Sequence, residues 1–188
     1  DANPDVLKAH GERIQCAALS LDEADGCIEL VNSLDKTRGV PVIVNTAARN
    51  STGVARYGQT LKSTLGELGR TMVTMWVINR QRDSLELLAD YLDAMPAGAD
   101  HQVHVVRNGY FGSPEKFQLY NGSQLKQRIE EGGGLTLDFP DLADRVADQM
   151  ATQRLTIQGA LKEMPLGHRA ELIRWRDEAF KVLGQVMT

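Results

Sequence analysis

Pro41-Val42-Ile43-Val44-Asn45-Thr46-Ala47-Ala48 and Met75-Trp76-Val77-Ile78-Asn79 are apolar runs that each end in polar residues and lead into a helical pattern. A third run, His101 to Val106, has the same form and ends in Arg107-Asn108-Gly109-Tyr110. Strands that alternate with helices are joined by right-handed crossovers into a parallel sheet. The sequence therefore predicts an α/β fold, with a mainly parallel sheet flanked by helices in a three-layer, Rossmann-like arrangement.

The other elements follow from apolar spacing and from turn residues. Val40 to Val44 is almost wholly apolar, which is typical of a strand covered on both faces. A weakly β run at residues 14–19 precedes a helix to about Leu34, capped by Ser20 or Asp22, with Ala24, Cys27, Ile28, Val31 and Leu34 on one face. The remaining predictions are a helix ending near Leu68, a strand from Thr71 to Ile78, a helix ending near Met95, short helices at residues 114–121 and 123–131, a strand at residues 135–139, and helices at residues 141–150 and 166–186.

Composition limits the class of protein. At 188 residues the default is a single domain, 1–188, in which residues 151–188 form a C-terminal helical extension. A net charge of -4 argues against a surface that coats nucleic acid. Cys16 and Cys27 fit neither a CxxC motif nor a disulfide framework, so we expect a reducing, cytoplasmic environment. No apolar run reaches the length of a membrane span.

A candidate site follows from the topology, because ligands of parallel α/β sheets bind beyond the carboxyl ends of the strands. No single motif defines it. The polar residues that the predicted topology collects at this edge are Asp1, Asn3, Ser20, Asp22, Asn45, Arg49, Asn50, Asn79, Arg80, Arg82, Arg107 and Asn108. His101 and His104 are excluded as joint ligands of one metal, since residues three apart on a strand point to opposite faces.

The order of these strand ends resembles the ParA/MinD group of P-loop ATPases, the deviant-Walker class. Within it, the closest resemblance is to plasmid conjugal-transfer and stability proteins of the TraL and StbB type. The run from Val42 to Ser51 is similar to their Walker B strand, and Val105 to Tyr110 resembles the strand whose terminal Asn reads the nucleobase. Asp1-Ala2-Asn3-Pro4 resembles the end of the segment that follows their phosphate loop. The resemblance spans nearly the whole chain.

The resemblance implies ATP and Mg²⁺ as cofactors and gives four residues a role. Asp1 would be the catalytic switch carboxylate that helps to position Mg²⁺ or the attacking water, and Asn45 a further contact to the metal. Arg80 and Asn108 would contact the nucleotide. Each has an alternative: an exposed terminal residue for Asp1, a turn cap for Asn45, a dimer contact or solvent exposure for Arg80, and an Asn-Gly turn for Asn108.

Two departures from the family pattern matter. The 188 residues contain no G-x-x-x-x-G-K-[ST] motif, so the first βα unit with its phosphate loop is expected upstream of Asp1. Asn45 stands where the family carries Asp, and a neutral amide contributes less to metal affinity than a carboxylate. The chain by itself is therefore expected to bind ATP weakly, and hydrolysis is expected only where an upstream Walker A loop exists.

Two functions remain open. The first is an ATPase-type molecular switch in plasmid conjugative transfer or maintenance, in which nucleotide promotes a homodimer or binding to a protein of a transfer or partition complex. The second is a nucleotide-independent adaptor, a pseudo-ATPase, that binds a protein partner in the same process. Direct DNA binding is not indicated by the charge of the chain.

Overall fold

The structure is a computed structural model, and we describe residues 15–46 and 51–187. The helices are α1 (Ala24–Lys36), α2 (Ser51–Glu67), α3 (Arg82–Ala94), α4 (Gln118–Asn121), α5 (Gln124–Glu131), α6 (Asp144–Gln153), α7 (Ile157–Glu163) and α8 (Leu166–Leu183). The strands are β1 (Met72–Ile78), β2 (His101–Asn108) and β3 (Thr136–Phe139). Single 3₁₀ turns cover Gly109–Phe111 and Pro114–Lys116.

The three strands form one parallel sheet in the order β1-β2-β3. Val77 of β1 lies opposite Val106 of β2, which in turn lies opposite Leu137 of β3. The predicted strands at residues 71–78, 101–106 and 135–139 are confirmed, and each crossover between them contains a helix. Because all three run the same way, their carboxyl ends share one edge of the sheet.

Helices cover both faces of this sheet, which confirms the predicted three-layer arrangement. On one face Ile78 and Val105 pack with Leu88 of α3 and Ile129 of α5, and all four are buried. Burying a side chain of this size contributes about 1.5–3 kcal/mol. On the other face Val106 and Leu137 pack with Val182 of α8 and with Val186, which lies in the turn after this helix.

The last three helices share a further apolar cluster, built around Val146, Ala160, Met164 and Leu172. The indole Nε1 of Trp175 donates a hydrogen bond to the Pro140 carbonyl (2.9 Å), which ties α8 to the end of β3. The predicted helices at residues 141–150 and 166–186 correspond to α6 and α8. Helix α7 was not predicted. None of the helices in the described part of the chain combines the length and apolarity needed to cross a bilayer.

The predicted strand Val40–Val44 is wrong. Residues 41–46 adopt no regular structure, and Val40, Val42, Ile43 and Val44 are exposed. Within the described ranges, β1 pairs with β2 alone, so this run has no strand beside it. An apolar run reports a preference for burial, whereas a strand also needs a hydrogen-bonded neighbour. The weak β run at 14–19 fails in the same way, since residues 15–20 form no strand.

The first helix also differs from expectation in its cap and its buried face. Cys27, Leu30 and Leu34 are its buried apolar residues, whereas the predicted Ile28 is exposed. Asp22 caps the next helix instead, because its carboxylate accepts a hydrogen bond from the Gly53 amide at the start of α2 (2.9 Å). A carboxylate is favourable there because the first amides of a helix lack partners.

Arg70 joins this N-terminal region to the sheet. Its guanidinium, just before β1, donates to the carbonyls of Leu34 (3.0 Å), Thr37 (2.5 Å) and Val40 (3.0 Å). Leu34 and Thr37 lie at the carboxyl end of α1, where backbone carbonyls have no helical partner. One side chain therefore closes the end of α1 and holds the start of the exposed run.

Candidate functional site

The candidate site is a cleft of about 460 Å³ at the carboxyl edge of the sheet, between the ends of β1 and β2. Its position agrees with the rule that ligands of parallel α/β sheets bind at this edge. Seven residues line the cleft: Asn79, Arg80, Gln81, Phe111, Lys116, Gln118 and Leu119. We refer to them as the edge cleft.

The wall of the edge cleft that follows β1 is shaped by short polar contacts. The side-chain oxygen of Asn79 accepts a hydrogen bond from the Gln81 amide (2.8 Å), and the Ser84 hydroxyl accepts one from the Asn79 amide (3.3 Å). Asn favours such a turn because its side chain can bond to the backbone two residues on. Arg80 at the centre of the turn lines the cleft, whereas Arg82, the first residue of α3, does not.

The wall that follows β2 depends on a tight turn. The Asn108 side-chain oxygen accepts a hydrogen bond from the Tyr110 amide (3.1 Å). Gly109 lies against β3, where a Cβ atom would meet the Phe139 carbonyl at 2.6 Å, and Gly112 has a φ of +114°. Both positions therefore require glycine. The turn brings Phe111 to the cleft. Asn108 holds the turn in place, which is the alternative role given by the Asn-Gly sequence.

Arg107 stabilises the wall that follows β2. Its guanidinium donates two hydrogen bonds to the Asp138 carboxylate (2.7 and 2.9 Å) and a third to the Asn121 side-chain oxygen (2.7 Å). Asn121 in turn donates to the Pro114 carbonyl (2.9 Å). Bidentate pairing of this kind fixes geometry as well as supplying energy. Arg107 thus couples β2, β3 and the loop that carries Lys116.

The chemistry of the edge cleft combines cations, amides and apolar surface. Arg80 and Lys116 are exposed, and neither forms a salt bridge within the described ranges. Glu115 precedes Lys116, and its carboxylate accepts a hydrogen bond from the Ser113 hydroxyl in the same loop. This hydrogen bond lowers the pKa of Glu115. Phe111 and Leu119 supply apolar surface. Such a set suits a ligand with a flat apolar part and a negatively charged part.

The structure places the predicted site residues in different positions. Arg80 lines the edge cleft, and Asn108 shapes its wall without being among the lining residues. Asn45 lies in the exposed stretch at residues 41–46 and does not line the cleft. Asp1 lies outside the described residues, as do Asn3, Arg49 and Asn50.

Several lining residues were missed. These residues come from the two 3₁₀ turns after β2 and from α4, whose path over the sheet edge no sequence periodicity reveals: Phe111, Lys116, Gln118 and Leu119. The available signal was that this segment starts at a strand end and contains two glycines, Gly109 and Gly112, which indicate a turn.

No metal site emerges from the described part of the chain, where no three His, Cys, Asp or Glu side chains gather at ligand distance. The two strand histidines do lie on opposite faces, as predicted. His101 Nε2 lies 3.0 Å from the Thr74 hydroxyl oxygen, whereas His104 Nδ1 accepts a hydrogen bond from the Leu135 amide (3.0 Å). Burial lowers the pKa of both imidazoles.

Comparison with known proteins gives one informative relative. The chain is 58% identical over 186 residues to Protein MobD from Acidithiobacillus ferrooxidans, a match that covers 99% of this chain and 81% of that protein. No family model matches the sequence. No solved structure gives a significant match. Identity at this level over most of both sequences shows common ancestry, and the chain therefore belongs to the MobD family.

Proposed function

We propose that the chain is a nucleotide-responsive switch of the ParA/MinD type that acts in plasmid mobilization, with the nucleotide bound in the edge cleft. The observation that carries the proposal is the position and lining of this cleft: two cations beside an aromatic ring, at the carboxyl edge of a parallel sheet. The relationship to MobD supports the plasmid process, and the resemblance to ParA/MinD proteins supports the nucleotide.

The cleft residues divide naturally between the two parts of a nucleotide. Arg80 and Lys116 carry free positive charge for phosphate groups, and Phe111 offers a ring face on which a base can stack. The amides of Asn79, Gln81 and Gln118 can donate to or accept from polar edges of the base or sugar. Without a phosphate loop in these residues, we expect a dissociation constant on the order of 1 mM.

Magnesium and hydrolysis are a separate part of the proposal. Among the described residues, none that lines the cleft carries a carboxylate, so this lining does not by itself fit Mg²⁺. Asp1 and Asn45 remain the residues proposed for this role. Hydrolysis would require Asp1, Asn45 and a phosphate loop to meet at the same edge of the sheet.

The test is a titration of the 188-residue chain with a fluorescent ATP analogue, read as anisotropy, followed by competition with ATP, adenosine and inorganic triphosphate. ATP should compete better than either part alone, because the cleft supplies both ring and cation contacts. Arg80→Ala should weaken binding about tenfold, as expected for the loss of a charged contact.

Arg82→Ala is the matched control, since Arg82 lies two residues away and does not line the cleft. We expect it to bind like the unmodified chain. Equal weakening by both substitutions would mean that the nucleotide responds only to net charge, and would contradict a site in the edge cleft. Failure of ATP to compete at several millimolar would contradict nucleotide binding by these residues altogether.

The second candidate function is the nucleotide-independent adaptor. A specific observation favours it: helix α8 exposes a row of large apolar side chains, Leu166, Ile173 and Phe180. Under this alternative the protein partner binds equally well with and without nucleotide. Under the switch, saturating nucleotide changes the affinity for the partner.

A further inference from the structure

Helix α8 carries large apolar side chains at intervals of seven residues, and all of them are exposed. Leu166, Ile173 and Phe180 are 75%, 42% and 62% exposed, respectively. Seven residues make almost two full turns, so side chains with this spacing lie along one line of a helix. From Leu166 to Phe180 the line is about 21 Å long at 1.5 Å per residue.

This line is separate from the face with which α8 packs on the body of the protein. Leu172 and Ala179 are buried, and Trp175 packs in the apolar cluster that α6 and α7 share with α8. Ile173 and Phe180 directly follow two of these residues, and one residue turns a helix by about 100°. The core therefore uses one side of α8 and leaves the apolar line to solvent. Single exposed apolar residues are ordinary, but a contiguous row indicates an interaction surface.

Two arginines accompany the row at the same interval. Arg169 and Arg176 each follow an apolar residue of the row by three positions, which is the neighbouring position of a coiled-coil seam. The Nε of Arg169 is buried and has no hydrogen-bond partner within the described residues. Arg176 pairs with the adjacent Asp177 (2.9 Å). Arg174, by contrast, is held by both Glu171 and Glu178.

The two arginines decide between possible occupants. In an antiparallel pair of α8 helices centred on Ile173, Arg169 of one copy would meet Arg176 of the other copy on the same side of the seam. Like charges in such positions destabilise a helix pair. A helix with carboxylates at the corresponding positions would instead give Arg169 and Arg176 charge-assisted hydrogen bonds.

We propose that this surface, formed by Leu166, Arg169, Ile173, Arg176 and Phe180 and here named the α8 stripe, binds an amphipathic acidic helix of a protein partner. Apolar residues of the partner helix pack against the row, and its carboxylates pair with the two arginines. The α8 stripe lies outside the edge cleft, so the inference stands whether or not the cleft binds nucleotide.

The experiment uses two blocked synthetic helices of about 21 residues, three heptads, in an alanine-rich background. The acidic peptide carries leucine every seven residues with glutamate at the neighbouring seam position, and the basic peptide replaces each glutamate by lysine. Binding to the 188-residue chain is measured by fluorescence anisotropy of labelled peptide. We expect the acidic peptide to bind at least about tenfold more tightly than the basic one.

Two kinds of variant locate the binding. Phe180→Glu should abolish it, whereas Ile28→Glu, at a comparably exposed residue of α1 (58%), should leave it unchanged. The double variant Arg169→Glu/Arg176→Glu should reverse the preference and bind the basic peptide. A misfolded chain could not show this gain, so the reversal excludes unfolding as the cause.

Three results would overturn the proposal. The first is that the acidic peptide binds no better than the basic one. The second is that Phe180→Glu binds like the unmodified chain. The third is that sedimentation shows a dimer that Phe180→Glu dissociates, because the occupant of the α8 stripe would then be a second copy of this chain.

Discussion

Two valine-rich runs of this chain adopt different structures. β2 carries Val103, Val105 and Val106, all buried, and pairs with a strand on each side. The run Val40–Val44 is more apolar and contains Pro41, yet its side chains are exposed and it pairs with no strand in the described part of the chain. Apolar composition alone therefore does not decide which run is buried. β2 has a hydrogen-bonded neighbour on each side, whereas Pro41 in the exposed run has no backbone N–H to donate to a neighbouring strand.

The same difference decides where the polar residue that follows each run is placed. Asn108 follows the valines of β2 and is held at the sheet edge by a turn that faces the edge cleft. Asn45 follows the other run and lies away from the cleft lining. A strand end therefore contributes to a site only where the strand itself is part of the sheet.

The largest expected effect comes from truncating one isoleucine in the sheet and one in the exposed run. Ile78→Ala removes a fully buried residue of β1 and should lower the free energy of unfolding by about 3 kcal/mol, through lost burial and a cavity. Ile43→Ala, at a residue that is 84% exposed, should change it by less than about 0.5 kcal/mol. Urea denaturation measures both. Comparable losses would mean that the exposed run is buried in solution.

A smaller loss of stability is expected when the hydrogen bonds of Arg107 behind the edge cleft are removed. Arg107→Ala removes three hydrogen bonds and leaves Asp138 and Asn121 without this partner, at a cost of about 1.5–3 kcal/mol. The control is Arg38→Ala, which breaks the exposed pair with Asp35 and should cost about 0–1 kcal/mol. Urea denaturation again provides the readout. Equal losses of unfolding free energy in the two variants would show that the Arg107 hydrogen bonds do not contribute to stability.

Arg70, which links the N-terminal region to the sheet, should affect stability only locally. Arg70→Ala removes the guanidinium that binds the carbonyls of Leu34, Thr37 and Val40. Amide hydrogen exchange should accelerate at the end of α1 and stay slow in β2, because regions of one protein open with separate free energies. Arg70→Lys should not restore protection fully, since a single ammonium cannot reproduce the fork of a guanidinium. Faster exchange throughout the sheet would contradict a local role.

The smallest expected effect is a pH dependence of stability that arises from two histidines of β2. Burial lowers the pKa of His101 and His104 below the ordinary value of 6.5, so the unfolded chain binds more protons as the pH falls past that value. Stability from this source is complete above about pH 6.5 and is lost as the pH falls through the lowered pKa. Urea denaturation from about pH 7.5 to 5.5 should show the decline, and His104→Gln should make it shallower. A stability that rises over this range would contradict the assignment.

The sequence predicted the three strands, the helices between them and the parallel edge, because hydrophobic spacing and turn residues are local signals. It predicted Arg80 at the site for the same reason, as Asn79-Arg80-Gln81 directly follows a strand. The positions of Phe111 and Lys116 were not predictable, since they depend on contacts of Gly109 and Arg107 with β3, about thirty residues further on. The exposure of Val40–Val44 likewise depends on a non-local fact, namely that none of the described strands lies beside it.

The most direct measurement is an amide NMR titration of the isotope-labelled chain with ATP and Mg²⁺, with shifts assigned by residue. We predict saturable shifts at Gln81, Phe111, Lys116 and Leu119, which line the edge cleft, and smaller shifts at Asn45. Shifts confined to Asn45 and its neighbours, or no saturable shift at any cleft residue, would contradict the claim that the ends of β1 and β2 form the ligand site.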